Sequence, residues 1–423
     1  MMEKICVIGL GYIGLPTSIM FAKHGFQVHG MDVNEKAVAT LAKKQLHIEE
    51  PGLQEALEEV MDSGNLSVST EPQEADVFIV AVPSPIREDK TANLDYVRTA
   101  TESIVPYIKK GNLVILESTV PPRTVEDVML PVLEKTGLKL GEELYVSHSP
   151  ERVIPGKIFQ ELVSNDRIVG GIDPTSSELT KKLYKSFVEG EIHLTDATTA
   201  EMVKVIENTY RDVNIAFANE IAKISDRIGI NGWEAIKLAN YHPRVNIHQP
   251  GPGVGGHCIA VDPWFLAELQ PDIAKIITLA RHTNDDMPAY TVDKIKQLTE
   301  GITNPKVALL GLSFKGNVDD MRESPSLTIM EHLNKEGISY KVFDPHIKDV
   351  RVPHQVLSLQ EVIEEADIAV ILTDHKIFKE YHPEEVGQAM NRRVVFDTKN
   401  LLDEIDWREA GFQFIRLGDA KNR

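Results

Sequence analysis

Cysteine is nearly missing from this chain: there are two in 423 residues, Cys6 and Cys258. So few argue for a reducing compartment, in which a thiol serves packing or reactivity rather than a disulfide framework. Long apolar runs are missing as well. None approaches the length of a membrane span, and Met1-Met2-Glu3-Lys4 leads straight into a strand-like segment rather than a secretory leader. Basic charge is in short supply, with 45 Lys and Arg against 64 Asp and Glu, a net charge of −19. Such a surface repels nucleic acid and anionic membrane, so neither is expected as a partner. A cytoplasmic protein is expected, with no metal. An anionic small molecule would need a locally basic pocket or a helix N-terminus, which gives weight to Arg and Lys near glycine-rich turns.

What is present is ordinary globular material, 42% hydrophobic and 26% charged, long enough for two or three domains. The opening reads strand, turn, helix, strand. Ile5 to Ile8 is apolar, Gly9-Leu10-Gly11-Tyr12-Ile13-Gly14 follows, and Leu15 to His24 has helical spacing. Gly25 stops that helix, and Gln27 to Met31 runs to Asp32. Further strands are predicted at Val77 to Val82, Leu113 to Glu117 and Tyr145 to Ser147, an alternation that implies a parallel sheet covered on both faces. Glu201 to Ile228 is nearly free of Gly and Pro, with Met202, Val205, Ile206, Tyr210, Val213 and Phe217 at helical spacing. This predicts a long connecting helix whose surplus apolar residues suit burial against a second subunit. From Pro305 the pattern echoes the start: Val307 to Gly311 matches the first strand and glycine, and Lys341 to Asp344 the second strand and its acid. Glu365-Ala366-Asp367 likewise matches Glu74-Ala75-Asp76. The fold expected is α/β, with two doubly wound domains (1–198 and 297–423) joined by a helical domain (199–296). The second copy keeps only part of the glycine set and should hold a different ligand.

The glycine turn carries the first chemistry. Gly9 permits the tight turn, Gly11 lets backbone approach a pyrophosphate, and Gly14 lets helix and strand pack closely. Asp32, 18 residues after Gly14 at a strand end, is placed for the adenosine ribose, and its charge favours NAD over NADP. At the ends of two later strands, Ser84 reads as satisfying its own turn, while for Thr119 a turn and a ligand contact stand level. Cys6 lies inside an apolar strand and reads as a small hydrophobe. Cys258 follows Pro250-Gly251-Pro252-Gly253-Val254-Gly255, a loop whose backbone can approach a ligand, and a thiol opening a following helix is activated. A buried structural cysteine is the alternative. A nicotinamide cofactor with a reactive thiol suggests oxidation of an alcohol to an aldehyde, capture as a thiohemiacetal, a second oxidation to a thioester, and hydrolysis. Lys204 and Asn208, four residues apart on the long helix, would suit proton transfer and oxyanion stabilisation, or form a solvated face. Glu151 is a further candidate base, or a surface salt bridge. His257 and Asp262 are orienting candidates that could equally cap or pack. A sensor on the same fold would need none of these groups, and a two-electron hydroxyacid dehydrogenase would need neither the Cys258 loop nor a second α/β domain.

Together these motifs resemble the UDP-glucose/UDP-mannuronate dehydrogenase family over essentially the full chain. The matching pieces are Gly9 to Gly14, Glu117 to Val120, Ser149 to Arg152, Glu201 to Lys204 with Asn208, Gly255 to Cys258 with Asp262, and Gly311 to Lys315. The resemblance implies a four-electron oxidoreductase with a Rossmann-like domain at each end and a dimerising helix between. It implies Cys258 as nucleophile, Lys204 as proton carrier, Asn208 as oxyanion donor, and Asp262, Thr119 and Glu151 assisting the water and proton steps. NAD would be held by Gly9, Gly11, Tyr12, Ile13, Gly14, Asp32, Pro83, Ser84, Thr119 and Arg322. The UDP-sugar would meet Glu151, Arg152, Val153, Lys204, Asn208, Arg211, His242, Arg244, Gly255, Phe314, Lys315 and Lys399. The segments Tyr241 to Asn246 and Gln249 to Phe265 resemble the N-acetylmannosamine branch, which implies UDP-N-acetyl-D-mannosamine as substrate and a role in cell-surface polysaccharide synthesis. UDP-N-acetylglucosamine and UDP-glucose are the alternatives. His248 departs from the pattern, standing where an aliphatic residue is more usual.

Overall fold

The computed structural model describes residues 2–48, 50–154 and 156–421. Two compact units emerge: Met1–Glu207 with Trp264–Pro271, and Asn208–Pro263 with Asp272–Arg423. Each is built on a sheet wound with helices.

The first unit carries eight strands: β1 (Lys4–Ile8), β2 (Gln27–Met31), β3 (Leu66–Ser69), β4 (Val77–Val80), β5 (Leu113–Leu116), β6 (Tyr145–His148), β7 (Arg167–Gly171) and β8 (Ile192–Asp196). Their order is β3-β2-β1-β4-β5-β6-β7-β8, a doubly wound sheet that switches direction between β1 and β4. Alternation in β1 sends Ile5 and Val7 to one layer with Leu15, Ile19 and Phe21, and Cys6 and Ile8 to the other with Val97, Ile104 and Met129. Burial in that second layer pushes the Cys6 thiol up to about 11, so it packs as an inert apolar group. The sheet departs from the all-parallel expectation at one place. β7 runs antiparallel to β6, with Ser147 opposite Gly171 and His148 opposite Gly170, before β8 restores parallel pairing.

The second unit carries β9 (Lys306–Leu310), β10 (Ser339–Phe343), β11 (Ile368–Ile371), β12 (Val394–Asp397) and β13 (Gln413–Arg416), all parallel, in the order β10-β9-β11-β12-β13. The internal echo is repeated bond for bond. Gly9 N donates to Met31 O at 2.7 Å and Gly311 N to Phe343 O at 2.8 Å. The Asp76 carboxylate accepts from Lys4 N at 3.0 Å, and Asp367 from Lys306 N at 2.9 Å. Gly9 and Gly311 both need positive φ, +96° and +110°, which only glycine adopts without strain.

Between the sheets in sequence lies a helix of 32 residues, Ala197–Ile228. Its buried face mixes polar residues with Val205, Ala216, Ala218 and Ala222. Glu201, Asn208, Asp212, Asn219 and Asp226 are buried, while Met202, Ile206, Tyr210, Phe217, Ile224 and Ile228 are exposed, Tyr210 at 57% and Ile228 at 62%. Buried polar groups require partners; the exposed row is a large apolar stripe of the kind that marks an interaction face.

Candidate active site

At the first sheet's switch point the glycine turn is sterically tight. A Cβ on Gly9 would lie 2.4 Å from Ala81 O, and one on Gly14 only 1.9 Å from Gly9 O. At Gly11 it would meet no protein atom within 4 Å, so the room there is left to a ligand. Tyr12 is exposed beside it and Ile13 half-buried. Asp32 uses one oxygen to accept Leu10 N and the other to accept Asn34 N, both at 2.8 Å, which fixes the carboxylate at the turn. The strand-end loops are laced together. Ser118 donates to Val82 O at 2.7 Å and the Ser84 hydroxyl donates to Thr119 O, so Ser84 serves the neighbouring loop and not its own turn. Pro83 is exposed and Thr119 half-buried.

Glu151, expected either as a base or as a surface ion pair, lies neither at the surface nor alone. It is 8% exposed, accepts Arg152 N at 2.7 Å, and pairs with Arg167, which is itself buried. Arg152 reaches Glu207 on the long helix at 2.7 Å, and Val153 packs against the core. Lys204 stands half-buried one turn before Asn208 on that helix. Nearby on the same helix, Glu201 accepts Arg123 N and Val125 N at 2.5 and 2.8 Å, and burial pushes its carboxyl up to about 8 against those two donors.

In the second unit, Cys258 is half-buried in a helical turn: its carbonyl accepts Val261 N at 3.0 Å and Asp262 N at 2.8 Å, leading into the helix Asp262–Leu269. The helix proper opens at Asp262, one turn beyond the thiol. Asn208 donates to Asp262 Oδ2 at 2.6 Å, with both side chains buried. The loop before the cysteine is packed on Phe314. Gly255 has no room for a Cβ, which would fall 2.7 Å from Phe314 Cβ, and Gly256 has φ +86° and donates to Arg322 O at 3.1 Å. Arg322 turns its guanidinium to Asp320. Lys399 Nζ approaches Gly251 to within 3.6 Å of where its Cβ would be. Lys315, Arg211, His242 and Arg244 are exposed. Arg244 N donates to His242 Nδ1 at 3.3 Å. His248, the departure noted in the sequence, donates its N–H to Asn214 Oδ1 at 2.8 Å and sets its ring against Tyr210.

Sequence reasoning missed what anchors this loop. Asp212 and Arg281 form an ion pair with both side chains all but fully buried, and Arg281 also pairs with Asp285. Asn284 donates to Asp212 at 2.8 Å, Asn219 donates to Asn284 Oδ1 at 2.8 Å, and Gly251 N donates to Asn219 Oδ1 at 2.9 Å. The one signal in the sequence was the recurrence of Asn and Asp along the long helix, at Asn208, Asp212, Asn219 and Asp226.

At the second sheet's counterpart of the glycine turn, the acid is bonded from within the protein. Asp344, the counterpart of Asp32, accepts Leu312 N, Ser313 N, the Ser313 hydroxyl and His375 Nε2 on one oxygen, and His346 N on the other. Asn317 N donates to His375 Nδ1, so the ring proton sits on Nε2 and points at the carboxylate. Burial alone would raise the Asp344 carboxyl; His375 and the backbone donors outweigh it and hold it well below the usual range. Thr373 fills the space over Gly311 that a Cβ would need, at 2.4 Å.

Residues 3–188 match the NAD binding domain of the UDP-glucose/GDP-mannose dehydrogenase family, 198–286 its central domain and 308–404 its UDP binding domain. The chain belongs to that family. Its NAD binding domain contains Gly9, Gly11, Gly14 and Asp32, the steric cradle described above, and the enzyme is an NAD-dependent dehydrogenase. Cys258, Lys204, Asn208 and Asp262 fall in the central domain; Phe314, Lys315, Arg322 and Lys399 fall in the UDP binding domain. The family member of Methanococcus maripaludis strain C7 named UDP-N-acetyl-D-mannosamine dehydrogenase is 49% identical, over 99% of this chain and 97% of its own. NDP-N-acetyl-D-galactosaminuronic acid dehydrogenase of Ralstonia solanacearum is 44% identical over 94% and 96%. The solved structure of UDP-D-ManNAc dehydrogenase from Pyrococcus horikoshii superposes with a TM-score of 0.93 at 41% identity, covering 99% of this chain and all of that one. Among the described residues no helix is long and apolar enough to cross a membrane.

Proposed function

We propose that this dehydrogenase oxidises the primary alcohol of UDP-N-acetyl-D-mannosamine to the carboxylate, in two steps on one active cysteine. The observation that carries the reading is Cys258, held on a helical turn directly before the buried Asn208–Asp262 pair. Bound NAD, cradled by Gly9, Gly11, Gly14 and Asp32, supplies the hydride acceptor for each oxidation. Lys204 takes the alcohol proton, and with Asn208 it steadies the negative oxygen that develops. The Cys258 thiolate adds to the aldehyde carbon, forming a C–S bond, and the oxygen gains the proton. Loss of the hydroxyl proton to Lys204 and of a second hydride to NAD turns this thiohemiacetal into a thioester, and water cleaves the C–S bond to release carboxylate and thiol. Asp262, Thr119 and Glu151 orient and deprotonate that water. Phe314, Lys315 and Lys399 hold the nucleotide, with Arg211, His242 and Arg244 contributing to the sugar end and Arg322 to the cofactor. The three-part division at residues 1–198, 199–296 and 297–423 is the functional organisation that accompanies this scheme. The low cysteine count supports a cytoplasmic setting, and the acidic product suits assembly into a cell-surface polysaccharide.

Substrate choice is read from NADH release by the purified enzyme with UDP-N-acetyl-D-mannosamine, UDP-N-acetylglucosamine, UDP-N-acetylgalactosamine and UDP-glucose in parallel. Two NADH per sugar with the mannosamine compound, and much slower turnover with the others, is the expected result. One NADH per sugar would remove the thioester step, and no turnover with the mannosamine compound would remove the substrate.

We also propose a homodimer through the long helix. Support comes from the exposed row Met202, Ile206, Tyr210, Phe217, Ile224 and Ile228, an apolar face too continuous for a solvated helix. Light scattering should give twice the monomer mass, and Phe217→Glu, which places a charge in the row, should halve it. A wild-type monomer at micromolar concentration would sink the idea.

A further inference from the structure

A buried cluster in the first unit surrounds Glu151, and its other members are left unused by the scheme above. Arg167, 4% exposed at the start of β7, points its guanidinium at three groups: Glu151 Oε2, Glu117 Oε1 at 3.3 Å and Ser149 Oγ at 3.1 Å. Its flat face lies 4.0 Å from the Tyr184 ring centroid. Glu117, at the end of β5, also accepts the Tyr184 hydroxyl at 2.6 Å and the Thr17 hydroxyl at 3.1 Å. Thr17 lies in Gly14–Lys23, the helix that opens from the glycine turn.

We propose that Arg167 is a positioning residue for the reaction: it clamps the Glu151 carboxylate and, through Glu117 and Thr17, ties it to the helix of the dinucleotide turn. This rests on the reading of Glu151 as a group that moves a proton.

One guanidinium facing two buried carboxylates leaves a charge uncompensated, so one carboxyl is disposed to hold a proton. Burial pushes Glu117 up to about 7, against the pull of Arg167 and with the added repulsion of Glu151. Glu117 is thus the member that protonates near neutrality, and Arg167 divides its fork between the two carboxylates. The other charged groups around Glu151 are Arg152, whose N–H donates to its second oxygen, and Glu207 on the long helix, which neutralises the Arg152 side chain. Glu151 stands just past the carboxyl end of β6, where ligands of such sheets bind. A purely structural ion cluster would have no need to place one carboxylate there.

The test uses the intact enzyme saturated with NAD and sugar, reading kcat across pH 5–9. Glu151→Gln is expected to lower kcat about 100-fold. Arg167→Lys, whose ammonium cannot fork between two carboxylates, is expected to lower kcat about tenfold and leave KM for the sugar within about threefold. It should also move the acid limb up by about one pH unit. Glu117→Gln keeps that neighbour uncharged, as protonation does below pH 7, and should leave that limb where it is, whereas general loosening of the fold would move it. Arg167→Lys added to Glu151→Gln should cost nothing further. Losses that multiply in the double variant, or a limb that stays fixed in Arg167→Lys while Glu151→Gln is slow, overturn the clamp alone. Full activity in Glu151→Gln overturns the reading of Glu151, and the clamp with it.

Discussion

Cys258→Ser is expected to stop uronate formation by on the order of 10³-fold while the first oxidation persists within about tenfold, so that the aldehyde or its hydrate accumulates. The serine hydroxyl ionises far less readily than a thiol, and an oxygen ester gives up its acyl group to water less readily than a thioester. The turn is made by the Cys258 carbonyl accepting Val261 and Asp262 N–H groups, and Asn208 still meets Asp262. Product analysis by mass spectrometry separates the outcomes. Wild-type yields of uronate from the serine variant would end the covalent scheme, and loss of both oxidations together would shift Cys258 from chemistry to binding.

Arg281→Met is expected to destabilise the protein by about 3–5 kcal/mol, because it strands the buried Asp212 carboxylate. Burial already raises the Asp212 carboxyl, with Arg281 and Asn284 opposing that rise. Without the guanidinium the carboxyl rises further, so the folded variant binds a proton that the unfolded chain has released. Its stability is therefore greatest below the unfolded value, about 3.9, and falls as pH climbs through the folded value. The deficit against wild type should be larger at pH 8 than at pH 5. Arg281→Met combined with Asp212→Leu should recover most of the loss, since an apolar pair of similar volume is an adequate replacement for a buried ion pair. Denaturant melts of the two variants decide it; a deficit under about 1 kcal/mol in the single variant would show that the pair is not what holds the helix.

Much of this fold could be read from the chain because its signals are local. Gly9, Gly14 and Gly311 sit where backbone geometry tolerates nothing else, β1 and β9 are short, mostly apolar runs that lead into Gly9 and Gly311, and β2 and β10 run to Asp32 and Asp344. β7 and β8 escaped notice for an equally physical reason. Arg167 begins β7 and two glycines end it, and three of the five residues of β8 are exposed, so neither has the apolar run that marks a buried strand. The candidate site divides in the same way. Cys258 is announced by the glycines around it. Arg167, Arg281 and Asn219 carry no local mark, because their buried partners Glu151, Asp212 and Asn284 lie 16, 69 and 65 residues away in sequence. The long helix shows the same limit: its period is plain in the sequence, but the choice of which face turns inward is made by Asp212, Asn219 and Asp226, polar residues whose burial depends on distant partners.

Gly251 and Asp262 are both fastened to side chains of a single helix, Asn219 and Asn208. The segment carrying the thiol is consequently a closed ring and not a dangling arm. Each fastening removes most of the freedom that a glycine-rich stretch would otherwise have, and the loss is incurred once, during folding, with none left to incur when substrate arrives. The glycines that let the chain bend so closely around Phe314 thus cost little order in the finished protein. Hydrogen exchange at the Gly251 amide should be among the slowest of any loop position.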